Sequence, residues 1–166
     1  AAFDTGDSWS NAGTTYRLYG VQSCLRGTSF TNAHGIKRDC GEASLAMLVA
    51  LIRDLRPQCY EAAELPQTRT AFVFCVAVRT EGAGKGSRID LGTALIATGF
   101  AFAALKPDGS PVHAPDLEAQ HVAQKSHKGI GFRSTQLIGF ADCFAVADCG
   151  NKGICNITNI DRLEFR

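Results

Sequence analysis

Seven cysteines in 166 residues constrain this chain more than any other feature. They stand at Cys24, Cys40, Cys59, Cys75, Cys143, Cys149 and Cys155, and no two share the Cys-x-x-Cys spacing of a zinc knuckle or a dithiol redox motif. Cys24 and Cys40 are separated by the same interval as Cys59 and Cys75. Read as two disulfides, each would close a short loop and stabilise the fold by roughly 3 kcal/mol through unfolded-state entropy. The competing reading is buried free thiols packed as small hydrophobes. Disulfides persist in oxidising compartments, so the first reading places the chain in a periplasm or outside the cell. An odd number of thiols leaves one unpaired or shared between chains.

The length suits one domain with a core of its own. Net charge is +1 and no half of the chain is basic. Duplex-DNA binders usually carry a marked positive excess, because phosphate neutralisation dominates their affinity. Here a local cationic cleft is the most that charge allows. The longest apolar runs, Ala43 to Ile52 and Ala94 to Leu105, fall well short of the roughly 20 residues of a membrane helix. No signal-peptide pattern opens the chain, and Ala1-Ala2-Phe3 fits a mature end left by cleavage or an arbitrary boundary.

Hydrophobic periodicity divides the chain into recognisable pieces. Thr15 to Val21 is rich in β-formers and reads as a strand, followed by a glycine- and charge-rich loop from Ser23 to Asp39. Leu45, Leu48, Val49 and Ile52 recur at helical spacing, with Asp39 as N-cap, Glu42 as its capping-box partner and Pro57 as terminator. Thr70 to Arg79 is the strongest strand, apolar enough to suggest burial on both faces. Asp90 caps a second helix predicted to run to about Leu105, with Leu91, Leu95, Phe102 and Leu105 on one side. Pro115 opens a third, to about Lys128, before Gly129. From about Arg133 the texture changes, which predicts a cysteine-bearing appendage over 133–166, tied by one disulfide and packed on a main domain over 1–132.

These pieces, in this order, carry a resemblance. Tyr16-Arg17-Leu18-Tyr19-Gly20-Val21 resembles the Arg-Leu-x-Gly-Ile-Asp strand of the thermonuclease (staphylococcal-nuclease-like) family. Cys24, then Cys40-Gly41-Glu42-Ala43 leading a helix, resembles that family's secreted, cysteine-bearing bacterial branch, as does Cys59, Arg69-Thr70, Cys75. Asp90-Leu91-Gly92, Ala94-Leu95-Ile96 and Gly99-Phe100-Ala101 resemble its next helix, and Glu118 to Phe132 its last. The likeness implies an α+β fold: a five-stranded OB-type β-barrel with about three packed helices. It pairs Cys24 with Cys40 and Cys59 with Cys75. It also implies calcium-dependent phosphodiester hydrolysis of DNA and RNA, in which carboxylates hold the cation, a glutamate activates water and two arginines neutralise the phosphate.

Carried over residue by residue, the likeness implies a degenerate site. Gly6-Asp7-Ser8 lies at the family's Asp-Gly-Asp-Thr, so Asp7 is the candidate metal carboxylate. Arg17 and Arg69 match the phosphate arginines, although Gln67-Thr68 replaces the Tyr-Gly before the second. The family's Asp-x-Pro-Glu reads Gln22-Ser23-Cys24-Leu25, which puts an amide where the metal aspartate belongs and a hydrocarbon where the general base belongs. The expectation is a non-catalytic or weakly active protein that holds an anionic ligand, single-stranded nucleic acid or another anionic polymer, without a cofactor. A second reading is an active secreted calcium-dependent nuclease in which Asp4 or Glu42 replaces the missing acids. A third is an envelope or exopolysaccharide accessory role of the succinoglycan type, by association with proteins resembling this branch.

Other motifs carry less. Gly82-Ala-Gly-Lys-Gly-Ser87 fails the Walker spacing and reads as a turn. His113, His121 and His127 read as solvent-facing, and His34 as a loop residue after the first strand. Trp9 and Tyr16 have the chemistry to stack a base but read as core. Asn156-Ile157-Thr158 is an N-glycosylation sequon, relevant in a eukaryotic host alone.

Overall fold

A computed structural model describes residues 3, 5–32, 34–80, 82–126 and 128–130. The predicted appendage over 133–166, with its three cysteines and sequon, lies outside the described residues, as do Asp4 and His127.

The architecture is α+β. A hairpin of β1 (Ser8–Asn11) and β2 (Thr14–Leu18) is followed by the short strands β3 (Val21–Ser23), β4 (Ser29–Thr31) and β5 (Lys37–Asp39). Then come α1 (Cys40–Leu55), β6 (Gln58–Leu65), a 3₁₀ turn over Pro66–Thr68, β7 (Thr70–Val78), β8 (Arg88–Asp90), α2 (Leu91–Ala97), β9 (Ala101–Ala103) and α3 (Ala114–Lys125). The main sheet has the order β1-β2-β7-β6, with β8 also on β7; β2 and β7 run parallel and the other pairs antiparallel. β3 pairs with β9 and β4 with β5 in two separate ribbons. Among the described residues no pairing closes these three sheets into a barrel. No helix among them is long and apolar enough to cross a membrane.

Local chemistry accounts for most element ends. Asp39 caps α1 by accepting from the Glu42 amide at 2.9 Å, and that bond holds its carboxyl below the usual range. α1 ends at Arg56 in the left-handed region, φ 46°, before Pro57. Its buried stripe runs through Ser44 and Leu48, with Met47, Leu51, Ile52 and Leu55 against the core, whereas Val49 is exposed. The face is therefore rotated from the one predicted through Leu45 and Val49. β7 alternates: Ala71, Val73, Cys75 and Ala77 are buried while Phe72, Phe74 and Val76 are half-buried. One face packs on the core, not both as expected.

Two predicted elements break at glycines. The strand expected over Thr15–Val21 is two, turned at Gly20 with φ 76°; a Cβ there would sit 2.6 Å from the Asp116 carboxylate. The helix expected from Asp90 to Leu105 stops at Ala97, because Gly99 takes φ 80° and turns the chain into β9. Phe102 and Leu105 thus leave the helix face assigned to them. β6, which the sequence does not announce, is an exposed edge strand.

Both equal-spaced cysteine pairs are disulfides. Cys24–Cys40 ties the loop after β3 to the first residue of α1, and Cys59–Cys75 joins directly opposed positions of β6 and β7. The core gathers Trp9, Leu18, Leu48, Val73, Leu95 and Ile96 from both sheet and helices. Trp9 is fully buried and stacks on Tyr16 at 6.2 Å, which places both in the core as the sequence suggests.

Candidate functional site

The β1–β2 hairpin builds the site. Its two-residue turn, Ala12-Gly13, has positive φ at both positions, the geometry that matches strand twist in tight hairpins. That turn sets a register in which Ser8 faces Arg17, so Asp7, one residue earlier, reaches a partner ten residues away. Gly6 is required just before it, since a side chain there would collide with the Ser44 hydroxyl on α1.

Asp7 is fully buried, and both its oxygens are engaged. Oδ2 accepts from Arg17 Nε at 3.0 Å and lies 3.0 Å from Nη2. Oδ1 accepts from Ser23 Oγ at 2.9 Å and Thr5 Oγ1 at 2.8 Å. Thr5 Oγ1 is itself bonded to the Ser8 hydroxyl. Burying a carboxylate is costly unless donors replace the water it loses, and this cluster supplies them. Arg17 pays less desolvation, as 22% of its side chain is exposed. Thr5 and Ser23, which complete the cluster, carry no sequence signal beyond Ser23 lying next to Gln22.

The other carried-over positions do not join Asp7. Gln22 is half-buried on β3 opposite Phe102. Leu25 is half-buried at the head of the loop, where its carbonyl accepts from Thr28 Oγ1 at 2.6 Å. Arg69 follows the 3₁₀ turn with φ 48° and an exposed side chain. Its carbonyl accepts from the Thr15 amide at 2.9 Å, and its guanidinium lies beside Gly13 at the far end of the hairpin. Glu42 is exposed on the first turn of α1. Among the described residues no three His, Cys, Asp or Glu side chains gather as a metal-holding group.

A second buried acid escapes sequence reasoning. Asp116, on the first turn of α3, is 1% exposed and accepts from Thr93 Oγ1 at 2.8 Å. Burial pushes its carboxyl above the ordinary value, against the opposing pull of Thr93 and His113. His113 Nδ1 lies 3.1 Å from Asp116 Oδ2, a close contact without the alignment of a hydrogen bond. The ring meets Phe74 edge-on at 5.3 Å, and Phe74 meets Tyr19 at 4.9 Å. His113 is therefore half-buried, not solvent-facing as predicted; His34 and His121 are exposed. The glycine-rich Gly82–Ser87 segment forms the β7–β8 turn, closed by Arg79–Ser87 and Gly86–Arg79 backbone bonds.

No protein-family model matches the chain, and no curated protein matches it.

Proposed function

We propose that the chain is a thermonuclease-like protein whose site has changed from holding a metal to closing an ion pair, and that it binds single-stranded nucleic acid without cleaving it. The engagement of Asp7 carries this reading. A hard cation needs several oxygens with free lone pairs. The only carboxylate the resemblance supplies already serves an arginine and two hydroxyls. Seating a divalent ion there would take the carboxylate from the half-buried Arg17 guanidinium and set two cations against each other. At position 25 a hydrocarbon offers no proton acceptor. Of the substitute acids in the active-nuclease reading, Glu42 is exposed on the first turn of α1 and Asp4 lies outside the described residues.

Nucleic acid is favoured over other anionic polymers by the outer face of the sheet. Tyr16 and Leu18 face the core, so Arg17 lies on the opposite face in register with Phe72. Its contacts to Asp7 run through Nε and Nη2, leaving Nη1 as the edge of the fork turned from the carboxylate. Phe74 follows two residues on, in register with exposed Tyr60 and against Tyr19. A cation flanked by half-exposed aromatics suits phosphates with stacked bases. In the same proposal the three sheets are the splayed wall of an OB-type barrel, and the disulfides act in a periplasmic or extracellular setting.

The test uses the oxidised protein with single-stranded DNA, with calcium and with chelator. The expected result is salt-sensitive binding with no hydrolysis in either condition, and binding weakened by Phe74→Ala. Calcium-triggered cleavage, or no binding at low salt, would retire the proposal.

A further inference from the structure

A cleft of about 760 Å³ that shares no lining residue with the Asp7 cluster lies between the C-terminal end of α1 and the ends of β7 and β8. Arg53, Arg56 and Arg79 line it, opposed by Asp54 alone among its acidic residues, with Val76 and Ile89 among the apolar contributors. Arg88 stands next to it, in register with Val78. The volume lies in the range of small-molecule sites and far exceeds a bare inorganic ion.

Two further observations mark the cleft. Arg56 sits at φ 46°, a position where helices usually place glycine. An arginine there bears a backbone cost, and α1 does not need it for its dipole, since Arg53 already supplies a cation in the last turn. The second is orientation. Arg79 Nη1 donates to the Ala83 carbonyl at 3.0 Å, which fixes that guanidinium at the cleft rim through the β7–β8 turn. Arg53 is held by its neighbour Asp54, Nε to Oδ1 at 2.7 Å, a fully solvated pair that an incoming anion competes with directly.

We propose that this cleft is a binding site for a small phosphomonoester with an apolar body, independent of the Asp7–Arg17 site. Guanidinium forks match phosphate geometry, and three of them suit the three terminal oxygens of a tetrahedral monoester, whereas a carboxylate is satisfied by one. The apolar side chains take the body that the phosphate carries.

The oxidised full chain is titrated with phenyl phosphate, inorganic phosphate, benzoate and phenol, followed by amide chemical shifts. Phenyl phosphate saturates with Kd at or below about 1 mM. It binds more tightly than inorganic phosphate or benzoate, and phenol does not bind. Shifts cluster at residues 53–56 and 76–80 rather than at Asp7 and Arg17. Affinity rises between pH 5 and 7.5, as the second phosphate proton, with pKa about 6, leaves. Arg56→Gly weakens binding about tenfold while thermal stability holds or increases, because glycine relieves the positive φ. Asp54→Asn tightens binding several-fold by releasing Arg53. Absence of saturation, unchanged affinity in Arg56→Gly, or benzoate binding as well as phenyl phosphate overturns the proposal.

Discussion

Replacing Asp7 by Asn tests the closed ion pair with almost no change of shape. The amide keeps one oxygen for Arg17, and its NH₂ faces the Ser23 and Thr5 hydroxyls, which are able to accept. What disappears is the negative charge beside a guanidinium whose side chain is 22% exposed. Removing one partner of a buried pair costs about 3–5 kcal/mol. Partial hydration of Arg17 and the retained amide contacts move the expectation to the lower end, about 3 kcal/mol. For a chain of this length 1 kcal/mol corresponds to roughly 2–4 °C, so Tm should fall by about 6–12 °C. Thermal and urea unfolding of the oxidised protein measure it. A double-mutant cycle with Arg17→Met isolates the pair, and the coupling should recover most of the loss. A Tm change under about 2 °C, or no coupling, would refute the idea that the Asp7 carboxylate is tied up by Arg17.

Three more outcomes follow from the same geometry. Asp116 has its folded pKa raised above 3.8 by burial, so its contribution is fully present below that pH and is lost as pH rises through the folded value. Asp116→Asn should therefore gain stability relative to the parent between pH 3.5 and 7; a pH-independent difference in calorimetry would contradict this. Removing one disulfide as Cys59→Ala with Cys75→Ala should cost about 3 kcal/mol, with β6 amides showing the largest rise in hydrogen exchange, because that exposed edge strand is then held by its ladder to β7 without the cystine. Gly20→Ala should destabilise by about 2 kcal/mol or more, since it adds positive-φ strain to a clash with Asp116 and His113, and urea midpoints will show it.

What is legible in the chain is whatever local chemistry decides. Asp39 and Glu42 announce the start of α1, Thr70 to Arg79 reads as a strand that the structure ends at Val78, and equal spacing picks out both cystines. Asp7 and Arg17 are each candidates in the sequence, and a tight Ala-Gly turn is enough to bring them together. The rest depends on distant partners. Glu61-Ala-Ala-Glu64 has no strand pattern and is extended because β7 pairs with it and Cys75 holds it. α2 stops short of its apolar continuation because Gly99 turns the chain toward β3. Asp116 is buried by packing around Gly20, far away in sequence, which no local pattern encodes. The engagement of Asp7 by Thr5 and Ser23 is hidden for the same reason: small hydroxyls become ligands of a carboxylate through fold alone.

Calcium calorimetry on the oxidised protein is the most direct examination of the central claim, that the Asp7 carboxylate is taken. No saturable heat is expected at millimolar calcium, with Asp7 and Arg17 amide signals unmoved. Stoichiometric calcium binding that shifts those signals would contradict it.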